Sequence, residues 1–176
     1  TKLEGQAFSN CSSLLEIVLP NSVTTLEADV FIDCTSLEKV DLGNGITSMG
    51  HQVFMRCANL VEITIPDGVK EIPLNAFRNC SSLSKVILGK GVTSIAQQAF
   101  NGCNSLSDIQ FNNNITLIGD AAFAWCNNLQ TIIIPSSVTS IGESAFYGCE
   151  SLSEVTSLPT TPPALGATAF ERIPES

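Results

Sequence analysis

Large apolar residues recur along the chain with a fixed period of 23 residues. In each period a phenylalanine is followed three residues later by a cysteine and six residues later by a leucine. The phenylalanines are Phe8, Phe31, Phe54, Phe77, Phe100, Phe123 and Phe146, and the cysteines are Cys11, Cys34, Cys57, Cys80, Cys103, Cys126 and Cys149. The leucine begins a Leu-x-x-Ile/Val-x-Leu/Ile segment, and a second apolar pair, such as Val69 and Ile72, completes the period. The pattern predicts a repeat protein of about seven units.

A single unit is too small to fold by itself. About six large apolar side chains stabilise it by roughly 12 kcal/mol, whereas fixing its backbone costs on the order of 23–46 kcal/mol. If the units stack as coils, the leucine segments pair as parallel strands, with Ile17 and Leu19 pointing inward and Glu16 and Val18 pointing outward. Polar residues around Ala-Phe-x-x-Cys indicate a helical turn opposite the strands. The expected fold is one parallel sheet with short helical turns on its other side.

The repeat has a recognisable form, Ala-Phe-x-x-Cys-x-x-Leu-x-x-Ile-x-Ile-Pro-x-x-Val-x-x-Ile-Gly. It resembles the BspA-type leucine-rich repeat, and the resemblance covers essentially the whole chain. It implies a leucine-rich repeat solenoid of α/β class, rich in β-structure, in a bacterial protein that is secreted or held at the cell surface. The asparagine ladder of general leucine-rich repeats is missing. That position holds Ser22, Gly45, Gly68, Gly91, Asn114 and Ser137.

The spacing changes only in the last unit. This unit has 24 residues, and its phenylalanine, Phe170, is displaced by one position. We expect residues 1–176 to form a single repeat domain in which this unit is a terminal variant. Leu3 aligns with Leu26, so the chain begins inside a repeat, although solenoids usually carry polar capping units. The sequence therefore predicts a segment of a longer protein.

Charge and composition narrow the choice of partners. The chain has eight basic and 17 acidic residues and a formal net charge of −9. This balance opposes binding to nucleic acid and to anionic lipid surfaces. The sequence contains no apolar run near the roughly 18 residues of a membrane span. We therefore expect no nucleic-acid partner and no membrane insertion by this segment, whereas the oligomeric state stays open.

The seven cysteines allow three interpretations. Disulfide bonds are common in exported proteins, but the count is odd, and stacked coils aim neighbouring Cβ atoms in parallel rather than at one another. Structural zinc sites use closely spaced cysteine pairs, which this spacing does not supply. The favoured interpretation is therefore free, buried thiols that fill the core.

Few residues suit catalysis. His51 is the only histidine and occupies a variable position of the repeat, where a solvated surface residue is expected. The repeats place no Ser, Asp or Cys to make this histidine the base of a catalytic triad. We predict that the domain is not an enzyme and holds neither a metal ion nor a cofactor.

Two outward-facing columns of the predicted sheet are candidates for function. The first alternates in charge, which predicts mutually satisfied cross-strand pairs of roughly 0.2–1 kcal/mol each. It consists of Glu16, Lys39, Glu62, Lys85, Asp108, Thr131 and Glu154. The second is less uniform and is the candidate partner-binding surface. It consists of Val18, Asp41, Thr64, Ile87, Gln110, Ile133 and Thr156. Trp125 and Tyr147, which fall on turns, form a second candidate patch.

Three non-enzymatic functions fit these features. The favoured one, implied by the resemblance, is an extracellular or cell-surface adhesion module that presents its repeat surface to a protein or glycan of the host matrix or of a cell surface. A passive spacer that carries another domain is the alternative. An ice-binding surface is the third, because Thr24, Thr47, Thr93, Thr116 and Thr139 form a column. Lys70 and Glu71 interrupt that column with charges, which argues against ice binding.

Overall fold

The chain folds into short strands of two kinds. The computed structural model describes residues 1–174, so Glu175 and Ser176 of the predicted repeat domain lie outside the described residues. The long strands have three or four residues and are β2 (Glu16–Val18), β4 (Lys39–Asp41), β6 (Glu62–Thr64), β8 (Lys85–Ile87), β10 (Asp108–Gln110), β12 (Thr131–Ile134) and β14 (Glu154–Ser157). The short strands have two residues and are β1 (Lys2–Leu3), β3 (Thr25–Leu26), β5 (Ser48–Met49), β7 (Glu71–Ile72), β9 (Ser94–Ile95), β11 (Leu117–Ile118), β13 (Ser140–Ile141) and β15 (Ala164–Leu165).

The strands stack in parallel to form a β-solenoid of about seven turns. Most strands pair with their equivalent in the next coil, as Ile63 does with Val86 in the long strands and Leu26 with Met49 in the short strands. The expectation of one sheet is therefore wrong, because the second apolar pair of each repeat forms a sheet of its own. Two residues per coil are enough for this pairing, since stacking brings the same backbone groups to the same place in every coil.

The turn side of the solenoid, which carries the phenylalanines, contains no helix within residues 1–174, so the prediction of short helical turns is wrong. Two residues in every turn have a positive φ, such as Asp29 (60°) and Asp33 (61°), and an α-helix cannot pass through such residues. The backbone N–H of Phe31 donates to the carbonyl oxygen of Val53 in the next coil at 2.9 Å. Some turn carbonyls, such as that of Val53, thus accept hydrogen bonds from a neighbouring coil, and those between them accept from their own turn, as Gln52 does from the Met55 N–H.

These left-handed residues recur in every coil at two positions of the repeat. The first position holds Gln6, Asp29, Gln52, Asn75, Gln98, Ala121, Ser144 and Thr168. The second holds Asn10, Asp33, Arg56, Asn79, Gly102, Trp125, Gly148 and Arg172. Asp33 is the third residue of a turn that is closed by a hydrogen bond from the Cys34 N–H to the Phe31 carbonyl oxygen. A positive φ at this place is the geometry of a type II turn, not of a helix.

A stack of phenylalanine rings forms the centre of the core. Neighbouring ring centroids from Phe8 to Phe146 are 5.1–5.4 Å apart and their planes differ by only 2–13°. Phe170 joins the stack, 5.1 Å from Phe146, because the extra residue of the last unit is accommodated before its turn. Such rings bury large apolar areas, so this stack is a major source of stability.

The cysteine column lies beside the phenylalanine stack. All seven cysteines are free thiols, six of them buried and Cys11 half-buried, so the prediction of buried thiols is confirmed for six. From Cys34 to Cys149 each thiol donates to the carbonyl oxygen of a phenylalanine in the preceding coil, at 3.0–3.3 Å. Burial raises the pKa of Cys80 and of Cys149 to about 12. The column therefore fills volume and supplies an extra hydrogen bond between coils.

Both sheets are interrupted, whereas the turn side is not. The long strands form three separate groups, β2 with β4, β6 with β8 and β10, and β12 with β14. The short-strand sheet breaks between β5 and β7. In the preceding coil the Gly50 N–H donates to the Leu26 carbonyl oxygen at 2.7 Å. The equivalent residue after β7 is Pro73, which has no N–H to donate. Across this same pair of coils the turn-side bond from Gln52 N–H to Leu74 oxygen persists at 2.9 Å. The turn side thus holds the stack together where the sheets do not.

Candidate binding surface

The outer face of the long strands carries the predicted partner-binding column. Ile87 and Ile133 are 48% and 59% exposed and Val18 is 71% exposed, whereas Val86 and Ile132, the residues just before the two isoleucines, are buried in the core. Asp41, Thr64 and Gln110 are exposed on the same face, and Thr156 is half-buried. The strand register sets Ile87 between Thr64 and Gln110, and Ile133 beside Thr156. The prediction that these residues share one outward face agrees with the structure.

The neighbouring column of alternating charge is less well paired than the sequence suggests. The register does place Glu16 beside Lys39, and Lys85 between Glu62 and Asp108. Within residues 1–174, only Lys85 and Asp108 of this column approach within ion-pair distance, at 3.7 Å. Both side chains are about half exposed, so this pair contributes little to stability. The expectation that the charges satisfy one another is therefore wrong for the other members of the column, which project into solvent.

Two shallow depressions flank β10 on this face. The first, of about 420 Å³, lies between β8 and β10 and is bordered by Ile87 and Gln110. The second, of about 360 Å³, follows the gap between β10 and β12 and is bordered by Gln110 and Ile133. We call the second depression the β10–β12 cleft. Three of the predicted residues therefore meet around β10, whereas Val18 and Asp41 border a smaller depression of about 200 Å³ near the first coils.

The walls of the β10–β12 cleft include residues that the sequence patterns did not identify. Phe111 takes a position that holds Leu88 in the preceding repeat and Ile134 in the following one. Its half-buried ring is tilted by 51° against that of Phe123 instead of joining the stack. Leu158, 52% exposed, reaches the cleft from the last repeat. Both residues depart from the repeat pattern, and these departures are the sequence feature that could have identified the cleft.

The second predicted patch is brought together by the turns and is partly covered. The rings of Trp125 and Tyr147 meet edge to face with centroids 5.4 Å apart. The guanidinium of Arg172 lies over both, 5.6 and 5.7 Å from the two centroids, and donates to the Tyr147 hydroxyl at 3.4 Å. A Cβ on Gly148 would lie 2.7 Å from the indole, so a glycine is needed beside Trp125. This cluster ties the last repeat to the two coils before it.

The remaining polar candidates take part in ordinary surface contacts. His51 is exposed, and its Nδ1 lies 3.9 Å from a carboxylate oxygen of Asp29. The hydroxyls of the threonine column donate to carbonyl oxygens of the preceding coil, as Thr116 does to Thr93 at 3.2 Å. Residues 1–174 contain no cluster of three or more His, Cys, Asp or Glu side chains that could hold a metal ion. Nor do they form a helix of the length and apolarity needed to cross a membrane.

The period and the stacked coils agree with one known family. The profile of the BspA type leucine rich repeat region matches residues 1–127 and 70–175, in six copies. The chain belongs to the BspA-type leucine-rich repeat family. Solenoids of this family are typical non-catalytic repeat scaffolds. No curated protein matches the chain at a significant level.

Several solved leucine-rich repeat proteins share the fold. A leucine-rich repeat protein from Bacteroides ovatus is 29% identical over 97% of this chain and 50% of its own, with a TM-score of 0.74. The leucine rich repeat protein of T. pallidum is 26% identical, covers 99% of this chain and 72% of its own, and has a TM-score of 0.69. A leucine rich cell surface protein from Faecalibacterium prausnitzii is 25% identical over 97% of this chain and 55% of its own, with a TM-score of 0.71. The chain thus spans about half the length of the Bacteroides protein.

Proposed function

We propose that this chain is an extracellular or cell-surface binding module that recognises a protein or glycan with the outer face of its long strands, centred on β10. The observation that carries the proposal is the meeting of two depressions at β10, between the exposed side chains of Ile87 and Ile133. Exposed apolar side chains next to a concave surface are typical of protein interaction sites. The similar leucine rich protein of Faecalibacterium prausnitzii, which is described as a cell surface protein, supports the proposed location.

The mechanism is non-covalent recognition by a rigid scaffold. The continuous turn side fixes the coils, so the residues around β10 are already in place before a partner binds. Preorganisation of this kind lowers the entropy lost on binding. Apolar contacts with Ile87 and Ile133 supply affinity, and the polar side chains of Gln110 and Thr64 on the same face supply orientation.

The test replaces the two exposed isoleucines with serine. The Ile87→Ser/Ile133→Ser double variant is screened beside the unchanged protein against a panel of matrix proteins and glycans. We expect it to lose at least tenfold in affinity for any partner that the unchanged protein binds, with a nearly unchanged melting temperature, since exposed side chains contribute little to the core.

A matched control changes two other exposed apolar residues elsewhere on the surface. The Leu74→Ser/Leu117→Ser variant alters side chains that are 41% and 42% exposed and lie away from the long strands. Its binding should be unchanged. A partner whose binding survives the isoleucine changes but fails when Trp125 and Tyr147 become alanine would move the site to the turn side. Finding no partner across the panel would instead favour the passive spacer.

A further inference from the structure

The alternating charge column on the long strands has one irregular position. From one long strand to the next the column runs Glu62, Lys85 and Asp108, so the alternation predicts a basic residue in the following strand. That position holds Thr131 instead. The acidic residue of the strand after it, Glu154, is paired in register with Thr131. Two carboxylates therefore stand on either side of a neutral side chain, at the outer face of the solenoid.

No basic side chain of the described residues neutralises the carboxylates on both sides of Thr131. Within residues 1–174, the carboxylate of Glu154 has no lysine or arginine nitrogen at ion-pair distance, and Asp108 has only Lys85, at 3.7 Å on the side away from Thr131. The chain as a whole carries a net charge of −9, which adds to the negative potential there. The surface around Thr131 is thus complementary to a cation.

A cleft with both polar and apolar walls lies directly beside Asp108 and Thr131. The β10–β12 cleft holds about 360 Å³, and Asp108 and Thr131 are part of its rim. Its walls include Ile133, Phe111 and Leu158, and it follows the gap between β10 and β12, which do not pair with each other. A long aliphatic chain with a charged end matches this combination of an apolar wall and an acidic rim.

We infer that the partner is a protein that seats a lysine or arginine side chain in the β10–β12 cleft. The aliphatic stem packs against Ile133 and Phe111, and the charged end lies over Thr131 between Asp108 and Glu154. The partner's cation thereby completes the alternating charge column of this chain. This inference rests on the proposed function, because it names the kind of partner that the same face would take.

The test uses n-butylguanidinium chloride, which carries the stem and head of an arginine. It is titrated at low salt into ¹⁵N-labelled protein, and the backbone amide resonances of Thr131, Ile133 and Gln110 are followed. We expect saturable shifts that weaken at 0.5 M NaCl, since salt screens charges at an exposed site. The neutral alcohol 1-pentanol, of similar length, should bind at least several-fold more weakly.

Variants of the rim separate charge from shape. Asp108→Asn and Glu154→Gln should each weaken butylguanidinium about two- to fivefold, the effect of one exposed ion pair. Thr131→Lys supplies the cation within the chain and should abolish the shifts. Glu16→Gln, which removes a carboxylate from the same column far from the cleft, should change nothing. All four positions are exposed, so the variants should fold normally.

Two outcomes would overturn the inference. One is equal binding of butylguanidinium and 1-pentanol, and the other is binding that Asp108→Asn and Glu154→Gln leave unchanged. The proposed function is judged separately. A partner, protein or glycan, that requires Ile87 and Ile133 but still binds the Thr131→Lys variant would uphold the binding face and reject the cation site. If no partner is found in the panel but the probe binds in a charge-dependent way, the cation site would be upheld and the proposed binding function rejected.

Discussion

The turn side and the long strands are built from the same repeats, but only on the turn side is the hydrogen bonding between coils continuous. On the turn side, hydrogen bonds between coils continue from the first turn to the last, as Phe8 N–H to Val30 oxygen and Phe146 N–H to Ala169 oxygen show. The long strands are divided into three groups, and their outer columns vary from coil to coil. One side of the solenoid can therefore hold the stack together while the other varies in shape and charge.

Removing a ring from the centre of the phenylalanine stack should cause a large loss of stability. Phe77 is fully buried and stacks on Phe54 and Phe100. Replacing it with alanine should lower the free energy of unfolding by about 3–5 kcal/mol, because a large cavity opens between coils. The control is Phe111→Ala on the strand side, which removes a half-buried ring outside the stack and should have a clearly smaller effect. Similar losses in urea denaturation would show that the two sides contribute equally.

A smaller effect should follow from one glycine of the turn side. Gly148 has a φ of 69°, and an added Cβ would lie 2.7 Å from the ring of Trp125. Gly148→Ala should therefore destabilise the protein by about 1–3 kcal/mol, partly through the left-handed backbone and partly through the clash.

A double-mutant cycle separates the two causes. In a Trp125→Ala background there is no indole for the added Cβ to clash with. Gly148→Ala should then lower the free energy of unfolding by a smaller amount, which comes from the left-handed backbone alone. Thermal unfolding of the four proteins gives the comparison. An identical loss in both backgrounds would mean that the indole moves aside without cost.

The smallest effect concerns an ion pair of the turn side and its dependence on pH. Arg56 holds the pKa of Asp33 below its ordinary value by hydrogen bonds to both carboxylate oxygens. The lowered pKa stabilises the fold above the unfolded pKa of about 3.9, and this contribution is lost as the pH falls through the folded value. Since both side chains are partly exposed, Asp33→Asn should cost less than about 1 kcal/mol at pH 7.

Denaturation at pH 7 and at pH 2 measures this difference. The difference in stability between Asp33→Asn and the unchanged protein should narrow at the lower pH, because the Asp33 carboxylate loses its ion pair as the pH falls through its lowered folded-state pKa. An Arg56→Ala background serves as control, because the substitution should have no charge effect there. A gap that persists at pH 2 would point to the left-handed turn, since asparagine and aspartate differ in how readily they adopt it.

The sequence predicted the stacking but not the turns. A column such as Phe31, Phe54 and Phe77 repeats so regularly that its side chains can only meet by stacking, and their register follows from the period. The left-handed residues are different. Glycine and asparagine signal a positive φ, but Gln52 and Ala121 adopt it as well, so residue type did not reveal the turns. Tertiary hydrogen bonds between coils select that conformation over a helix.

The sequence predicted where the partner-binding face lies but not the shape of its surface. Alternation along each strand placed Ile87 and Ile133 outward, as the structure has them. The β10–β12 cleft depends on a missing strand pairing, which no local pattern encodes. Trp125 and Tyr147 were expected to form a patch, but the position of Arg172 over their rings depends on the single extra residue of the last repeat.

The coincidence of two sheet breaks gives the molecule a defined mechanical weak point. Hydrogen bonds between coils run along the axis of the solenoid, so a pull on its two ends loads every interface between coils in series. The interface at which β4 and β5 fail to pair with β6 and β7 is held by its turn side and its packed core. Because neither sheet pairs across this interface, we expect it to separate before the others under tension.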